Sequence, residues 1–457
     1  MAEPGDEIPN FLMLEQIPAN YVQQLETDLL EPVVFSDGSA TTDGFCRFTL
    51  QNKGFLHSHS KIFVALKPTA TTRRGFLAPH VGIGKIIKRA VLKIGNKTLN
   101  ELDSWAGLHA VKSSLISNEN NLEREQYLTG RVMNNNFIYN DDSSIFADTV
   151  GLDNGVEYNG TDLRSPNWAV MDGAVPAECP SYMIDLSDLF PFLKVNQLPL
   201  YMIKEPINIE LTFQPQAEHR IQVAASDTAA TATEIVRDQL KFCADYIFYG
   251  ATDEMERYAM ANKDMTFSFV DYRLVEHSTT QALLGGGVIR NLGMANRMVP
   301  RVITLLNQPN AEAQILGNIN SMSPQVPATG VLDQTLRYNI RYNDRFEFTS
   351  DVDNISRLFS ILQQAEGVPF LTRSQYSNAG IAGDMTTRTY NSRQQDSNLA
   401  GHFFNLSTKL SNGRVGQRGI ELHLTGSFPA AVDLLRCYCE YVRVAKLTGG
   451  MFEIYNA

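Results

Sequence analysis

Long apolar runs are missing from this chain: nothing approaches the ~18–20 residues that a helical membrane span needs. Cysteine is scarce and odd in number, five in 457 residues. That does not make a disulfide framework and fits a protein that folds in a reducing compartment. Basic charge is also in short supply. Lys and Arg number 39 against 50 Asp and Glu, a formal net charge of −11, the opposite of a surface built to neutralise nucleic-acid phosphates. "GKIIKR" at 84–89 is the one dense basic stretch. The opening "MAEPGDEIPN" lacks the basic start and apolar centre of a secretory signal, so "NKT" at 96–98 and "NGT" at 159–161 are read as chance matches to a glycosylation triplet.

Recognisable catalytic constellations are absent as well. Gly82-x-Gly84-Lys85 lacks the Gly a phosphate loop needs five residues before Gly84, where Pro79 stands, and no Ser or Thr follows Lys85. A dinucleotide fingerprint would need a third Gly and a βαβ setting. "LLGGGVI" at 283–289 has no helix pattern after it and reads as a turn. His57 and His59 could share one strand face as metal ligands, but no third ligand sits at a recognisable spacing. No Gly-x-Ser-x-Gly elbow and no Cys in a known nucleophile context occurs. The expectation is therefore no catalytic residue, no metal and no cofactor.

What is present is β texture in quantity. Apolar residues make up 43% and charged residues 19%, a globular composition, and the length exceeds what one core normally supports, so two domains are expected. Residues 8–30 place Phe11, Leu14, Ile17, Tyr21, Leu25 and Leu29 at helical spacings, interrupted at Pro18, and read as an N-terminal arm. From residue 31 short strand patterns follow one another: "FCRFTLQNKG", "KIFVALKP", "AVLKIGNKTL", "INIELTF" and "LKFCADYIFYG", then "MTFSFVDYRLVEH", "RVITLLNQ", "TLRYNIRYNDRFEF", "GIELHLTGSF" and "LRCYCEYVRV". Cys437 and Cys439 share a strand face with Leu435 and Tyr441, so they read as small buried apolar side chains rather than as a metal or redox pair. Two segments look helical. One is 103–117, striped by Trp105, Leu108, Val111 and Leu115; the other is 351–365, striped by Val352, Ile355, Phe359 and Leu362 with Ser350 as N-cap. Long polar stretches at 134–180, 223–234 and 372–402 read as surface loops.

The pattern occurs twice. "LKFCADYIFY" at 240–249 aligns without a gap to "LRCYCEYVRV" at 435–444. "IELTF" at 209–213 parallels "IELHL" at 420–424, and "LKIGNK" at 92–97 parallels "IRYNDR" at 340–345. Each of the last pair carries hairpin-turn residues and is followed by one of the two helices. A duplicated all-β chain of this size implies two tandem jelly-roll (β-sandwich) domains with a few short helices and long surface loops. The expected division is an arm over 1–30, a first roll over 31–260 and a second over 261–457.

"IIKRAVLKIGNKTLNELDSWAGLHAVKSSL" resembles a stretch of the double jelly-roll major capsid proteins of DNA viruses, where an Ile-Gly-Gly-Gln hairpin leads into a helix with a Trp near its start. Ile94, Gly95 and Trp105 match. Asn96 replaces the second Gly, Lys97 the Gln, and Asn100 the usual Asp. "FTLQNKGFLHSHSKIFVAL" is similar to an early strand pair of the same family, with polinton-like viruses and virophages the nearest groups. The resemblance implies a non-enzymatic viral structural subunit: a homotrimer whose six rolls form a pseudo-hexagonal capsomer tiling an icosahedral shell. Its expected partners are neighbouring capsomers and penton and minor capsid proteins, without direct nucleic-acid binding, in a virion assembled inside the host cell; contact with an internal membrane is left open. Jelly rolls also serve other ends, so a two-domain glycan-binding protein or glycan-processing enzyme stands as the alternative.

Overall fold

In a computed structural model, the described residues are 22–69, 74–76, 82–105, 108–109, 112, 128–129, 170–172, 181–219, 232–249, 264–278, 287–307, 337–352, 355–366, 404–425 and 434–456. The first half supplies β1 (Val22–Leu30), β2 (Gly44–Leu50), β3 (Lys61–Pro68), β4 (Ile87–Ile94), β5 (Lys97–Asp103), β6 (Ile207–Phe213) and β7 (Lys241–Tyr249). The second supplies β8 (Asp264–Ser278), β9 (Val288–Gly293), β10 (Arg301–Asn307), β11 (Arg337–Tyr342), β12 (Arg345–Phe346), β13 (Ile420–Thr425), β14 (Leu434–Thr448) and β15 (Met451–Asn456). Short helices α1 (Leu186–Leu189) and α2 (Pro191–Val195) precede β6, and α3 (Ile355–Glu366) follows β12.

Each half is built on two main antiparallel sheets, with a further two-stranded ribbon, Arg74–Phe76 against Val170–Asp172, in the first, and the pairing of the main sheets repeats. In the first, β7 lies between β1 and β3, and β6 lies between β2 and β4, with β5 hairpinned onto β4. In the second, β14 lies between β8 and β10, and β13 between β9 and β11, with β12 hairpinned onto β11. Seven strands recur in the same chain order with the same neighbours, so the duplication is a property of topology as well as of sequence. The fold is two tandem jelly-roll sandwiches. β15, paired to the outside of β14, has no labelled counterpart in the first half.

The reason these segments form sandwiches is visible in β6. Ile207, Ile209, Leu211 and Phe213 are all fully buried, while the residues between them are half exposed. A period of two drives one face into a core, and each large apolar side chain so buried contributes ~1.5–3 kcal/mol. β13 repeats this with Ile420, Leu422 and Leu424. The opposite sheet answers across the core: Phe48 of β2 and Phe242 of β7 meet with ring centroids 5.8 Å apart.

Three expectations are corrected. Val22–Leu30 is a strand paired along its length with β7, not the end of a helical arm; residues 8–21 of that reading lie outside the described residues. The second helix begins at Ile355, so Val352 is not part of it but bridges to Tyr338. Ser350 does not cap it either: its hydroxyl accepts a hydrogen bond from Arg357 at 2.8 Å. Of the earlier helix, Trp105, Leu108, His109 and Lys112 are helical, and Val111 and Leu115 lie outside the described residues. So do the loops at 134–180, 223–234 and 372–402, apart from Val170–Asp172 and residues 232–234. No described helix is long and apolar enough to cross a membrane.

Candidate functional site, a buried seam between the two rolls

The residues singled out in the sequence do not converge. Cys437 and Cys439 are fully buried in β14 with free thiols, and burial pushes the Cys437 thiol up to about 12; a thiol so disfavoured as thiolate is a poor ligand and nucleophile. Cys46 and Cys243 are also free, and Cys179 lies outside the described residues. His57 and His59 sit with ring centroids 5.2 Å apart, and the His57 Nδ1 accepts the His59 backbone N–H. Among the described residues no three His, Cys, Asp or Glu side chains form a metal-sized group. Gly82–Ile86 is a buried 3-10 turn, and within "GKIIKR" Lys85 is buried, Lys88 pairs with Asp43, and Arg89 pairs with Glu101 and Asp103. That stretch is therefore not a free basic patch.

Buried polar groups converge instead where the rolls meet. β5 and α2 of the first roll pack on β8 and β15 of the second. Asn100 on β5 and Asp271 on β8, both almost wholly buried, lie at the centre. The Asn100 amide donates to Asp271 Oδ1 at 3.1 Å, and its carbonyl oxygen accepts the Phe192 N–H at 2.9 Å, which fixes the start of α2. Asp271 Oδ2 accepts from Arg443 Nη1 at 2.7 Å and from the Tyr441 hydroxyl at 3.2 Å. Arg443 in turn reaches back across the seam to the carbonyls of Leu99 and Thr98, at 2.9 and 3.3 Å. Burial pushes the Asp271 carboxyl above the ordinary carboxylate range, and Arg443 and Asn100 pull against that rise.

A second cluster flanks the first. Arg301 donates to Glu440 Oε2 through Nη2 at 2.6 Å and through Nε at 3.1 Å, and the Tyr272 hydroxyl donates to the same oxygen at 2.9 Å. Lys112, from the helical turn of the first roll, donates to the Tyr272 hydroxyl and stands 4.1 Å over its ring. Burial raises the Glu440 carboxyl, but the Arg301 and Lys112 charges outweigh burial and hold it below its usual value. Apolar contact surrounds both clusters: Phe192 meets Phe267 and Phe269 edge-on at 5.7 and 5.1 Å. Trp105 is buried, with its indole N–H bonded to the Asp188 carbonyl at 2.9 Å, and Ser104 beside it accepts the Tyr438 hydroxyl from the second roll at 2.8 Å. Lys97 closes the far end on the Phe452 carbonyl.

Protein donors engage Asp271 at both oxygens and Glu440 at Oε2. The arrangement ties the two rolls together through buried hydrogen bonds. Sequence reasoning missed Asp271, Arg443 and Glu440. The signals available were Asn100 standing where the resembled family has Asp, and charged residues inside strand patterns apolar on both faces.

This architecture, two jelly rolls in one chain, is the fold of the double jelly-roll major capsid proteins. The chain is similar to a quasi-atomic model of the PBCV-1 virus capsid, at 13% identity over 98% of this chain and 100% of that one, with a TM-score of 0.56. It is also similar to PBCV-1 VP54 as fitted into a reconstruction of the virophage Sputnik (12% identity, 98% and 100% covered, TM-score 0.56) and to the Sputnik virophage structure determined by cryo-EM (10% identity, 100% and 92% covered, TM-score 0.50). The likeness is one of fold. No protein-family model and no curated protein matches the sequence.

Proposed function

We propose that this chain is a viral major capsid protein, a structural subunit without enzymatic activity, three copies of which form a pseudo-hexagonal capsomer. The observation that carries the reading is the repeat itself: one chain presents two rolls of the same strand order, set rigidly by the Asn100–Asp271–Arg443 seam. Three such chains about a three-fold axis present six similar lobes, a tile with near-hexagonal edges. The division near residue 260 separates the lobes. The partners are neighbouring capsomers and penton and minor capsid proteins, and the place is the virion, assembled inside the host cell. The net charge of −11 suits a shell that does not grip the genome directly.

Light scattering on the purified protein, with negative-stain images of the same peak, tests the reading. The expected particle is three chains of 51.0 kDa, about 153 kDa, with a hexagonal outline. A two-lobed 51.0 kDa monomer at every concentration overturns it.

A further inference from the structure

The strand registers show that the second roll has two unlike ends. Ser278 of β8 and Asn307 of β10 both lie opposite Leu434 of β14, and Arg337 of β11 lies opposite Thr425 of β13. From that end the chain leaves into 279–286, 308–336 and 426–433, all outside the described residues. At the other end the connections are turns: 294–300 between β9 and β10, 343–344 between β11 and β12, and 410–419 leading into β13. These turns are bonded to one another. The Asn296 N–H donates to the Gly416 carbonyl at 3.2 Å, the Val299 N–H to the Gly413 carbonyl at 2.6 Å, and the Asn343 amide to the Arg414 carbonyl at 2.7 Å.

The turn end is basic. Arg297, Arg345, Arg414 and Arg418 stand on it against a single acid, Asp344, which pairs with Arg418. Among the described residues no carboxylate pairs with Arg297, Arg345 or Arg414. Arg297 and Arg345 lie over the Tyr441 and Tyr342 rings, at 4.9 and 5.9 Å, and Arg414 is exposed. Met298 and Phe346, 47% and 48% exposed, add apolar surface. A segment of the opposite character enters the fold towards this same end. Residues 1–21 carry Glu3, Asp6, Glu7 and Glu15 with no Lys, Arg or His, and set Ile8, Phe11, Leu14 and Ile17 among them. They join β1 at Val22, opposite Tyr249, whose ring meets Phe55 as Phe55 meets Tyr201. Just beyond Tyr201, the Lys204 N–H donates at 3.0 Å to the carbonyl of Gly450, in the turn that follows β14 towards the arginine end. Twenty-one residues reach up to ~70 Å, against a radius of gyration of ~22 Å for a chain of this length.

We propose that the arginine end of the second roll is the docking surface for residues 1–21 of this chain. Glu3, Asp6 and Glu7 lie against the arginines, and the apolar residues that follow them cover Met298 and Phe346. Exposed ion pairs are worth little singly. The apolar contacts therefore supply much of the binding, and the charges set where and in which direction the segment lies. The assignment goes beyond the capsomer reading and does not depend on it.

Hydrogen–deuterium exchange on the full chain, read by mass spectrometry, tests it. The amides of residues 1–21 are expected to exchange at least ~10-fold more slowly than in a synthetic peptide of the same sequence. Arg414→Glu with Arg418→Glu should bring them to the peptide rate, while the amides of β14 keep their protection and serve as the folding control. Glu3→Lys with Asp6→Lys and Glu7→Lys should do the same. All five changes together should restore slow exchange, which a misfolded variant could not do. The assignment is overturned if the wild-type segment exchanges at the peptide rate, if either charge reversal leaves it protected, or if the combined variant does not recover. Phosphatidylserine vesicles supply a further check. Pelleting of the wild type but not of the arginine variant, with exchange of residues 1–21 unchanged, would place a bilayer on this surface and overturn the assignment too.

Discussion

Asn100 is a neutral amide placed against a buried carboxylate, and the choice has a physical cost attached to its alternative. Asp271 already carries a carboxyl raised above the ordinary range, because burial disfavours its charge more than Arg443 and Asn100 favour it. The sign follows directly. A carboxyl whose folded-state value lies above its unfolded one binds its proton more tightly when folded, so its stabilising contribution is present below the unfolded value and is lost as pH rises through the folded one. Asn100→Asp sets a second carboxylate about 3 Å from the first, in a site where a lone charge is already expensive. In acid the pair can share one proton, as two adjacent carboxyls do; at high pH both must ionise. The variant is expected to lose ~1 kcal/mol at pH 4.5 and ~3–5 kcal/mol at pH 8, read as the shift in urea midpoint relative to wild type. A loss independent of pH would mean that Asn100 matters for shape and not for charge.

At the scale of elements, the β4–β5 hairpin aims the seam, and its turn is the place to test it. Gly95 has φ +57, and a Cβ added there would come within 2.6 Å of Glu205 Oε1. The second roll turns the same corner with Asn343 and Asp344, at φ 52 and 60, residues that tolerate this region better than most. Gly95→Ala should therefore cost ~1–2 kcal/mol, read as a fall in thermal midpoint, from backbone strain together with the clash on Glu205. Asn343→Gly relieves the backbone but deletes two side-chain hydrogen bonds, Nδ2 to the Arg414 carbonyl at 2.7 Å and the Gly416 N–H to Oδ1 at 2.6 Å, so it should also cost ~1–2 kcal/mol, for loss of contacts and not for strain. These hairpins were legible in sequence because turn chemistry is local, and so were the strands, whose burial period of two is written in successive residues. The first strand was not. Tyr21, Leu25 and Leu29 are four apart, and four is both a helical repeat and an even number, so Leu25 and Leu29 share a face in either structure; only pairing with β7 decides. The seam was illegible for a related reason. Asn100, Asp271 and Arg443 are separated by about 170 residues at each step, and no local pattern links them.

For the whole molecule, the decisive quantity is how strongly one roll depends on the other. Met265, Phe267 and Phe269 of β8 are 4%, 3% and 2% exposed, and the two aromatics pack edge-on against Phe192 of the first roll. Alone, the second roll would present these side chains to water together with Asp271 and Arg443 stripped of Asn100 and of the Leu99 and Thr98 carbonyls. Uncovering a large aromatic costs ~1.5–3 kcal/mol, comparable with a sizeable fraction of a domain's net stability. The first roll loses less: it uncovers one aromatic, Phe192, and the Asn100 amide, while Lys97 and Lys112 exchange their seam contacts for water. Expressed separately, residues 261–457 should therefore aggregate, and residues 1–260 should remain the more soluble half. Co-expressed, the two pieces should co-purify as a 1:1 complex, because the seam needs no covalent link once the faces are presented to each other. Salt should weaken that complex little, since Asp271 and Arg443 are buried and screened from it, in contrast to an association held by exposed charge. Independent folding of both pieces, with no association on mixing, would show that the rolls are tethered rather than locked, and a tethered pair cannot present a tile edge of fixed geometry.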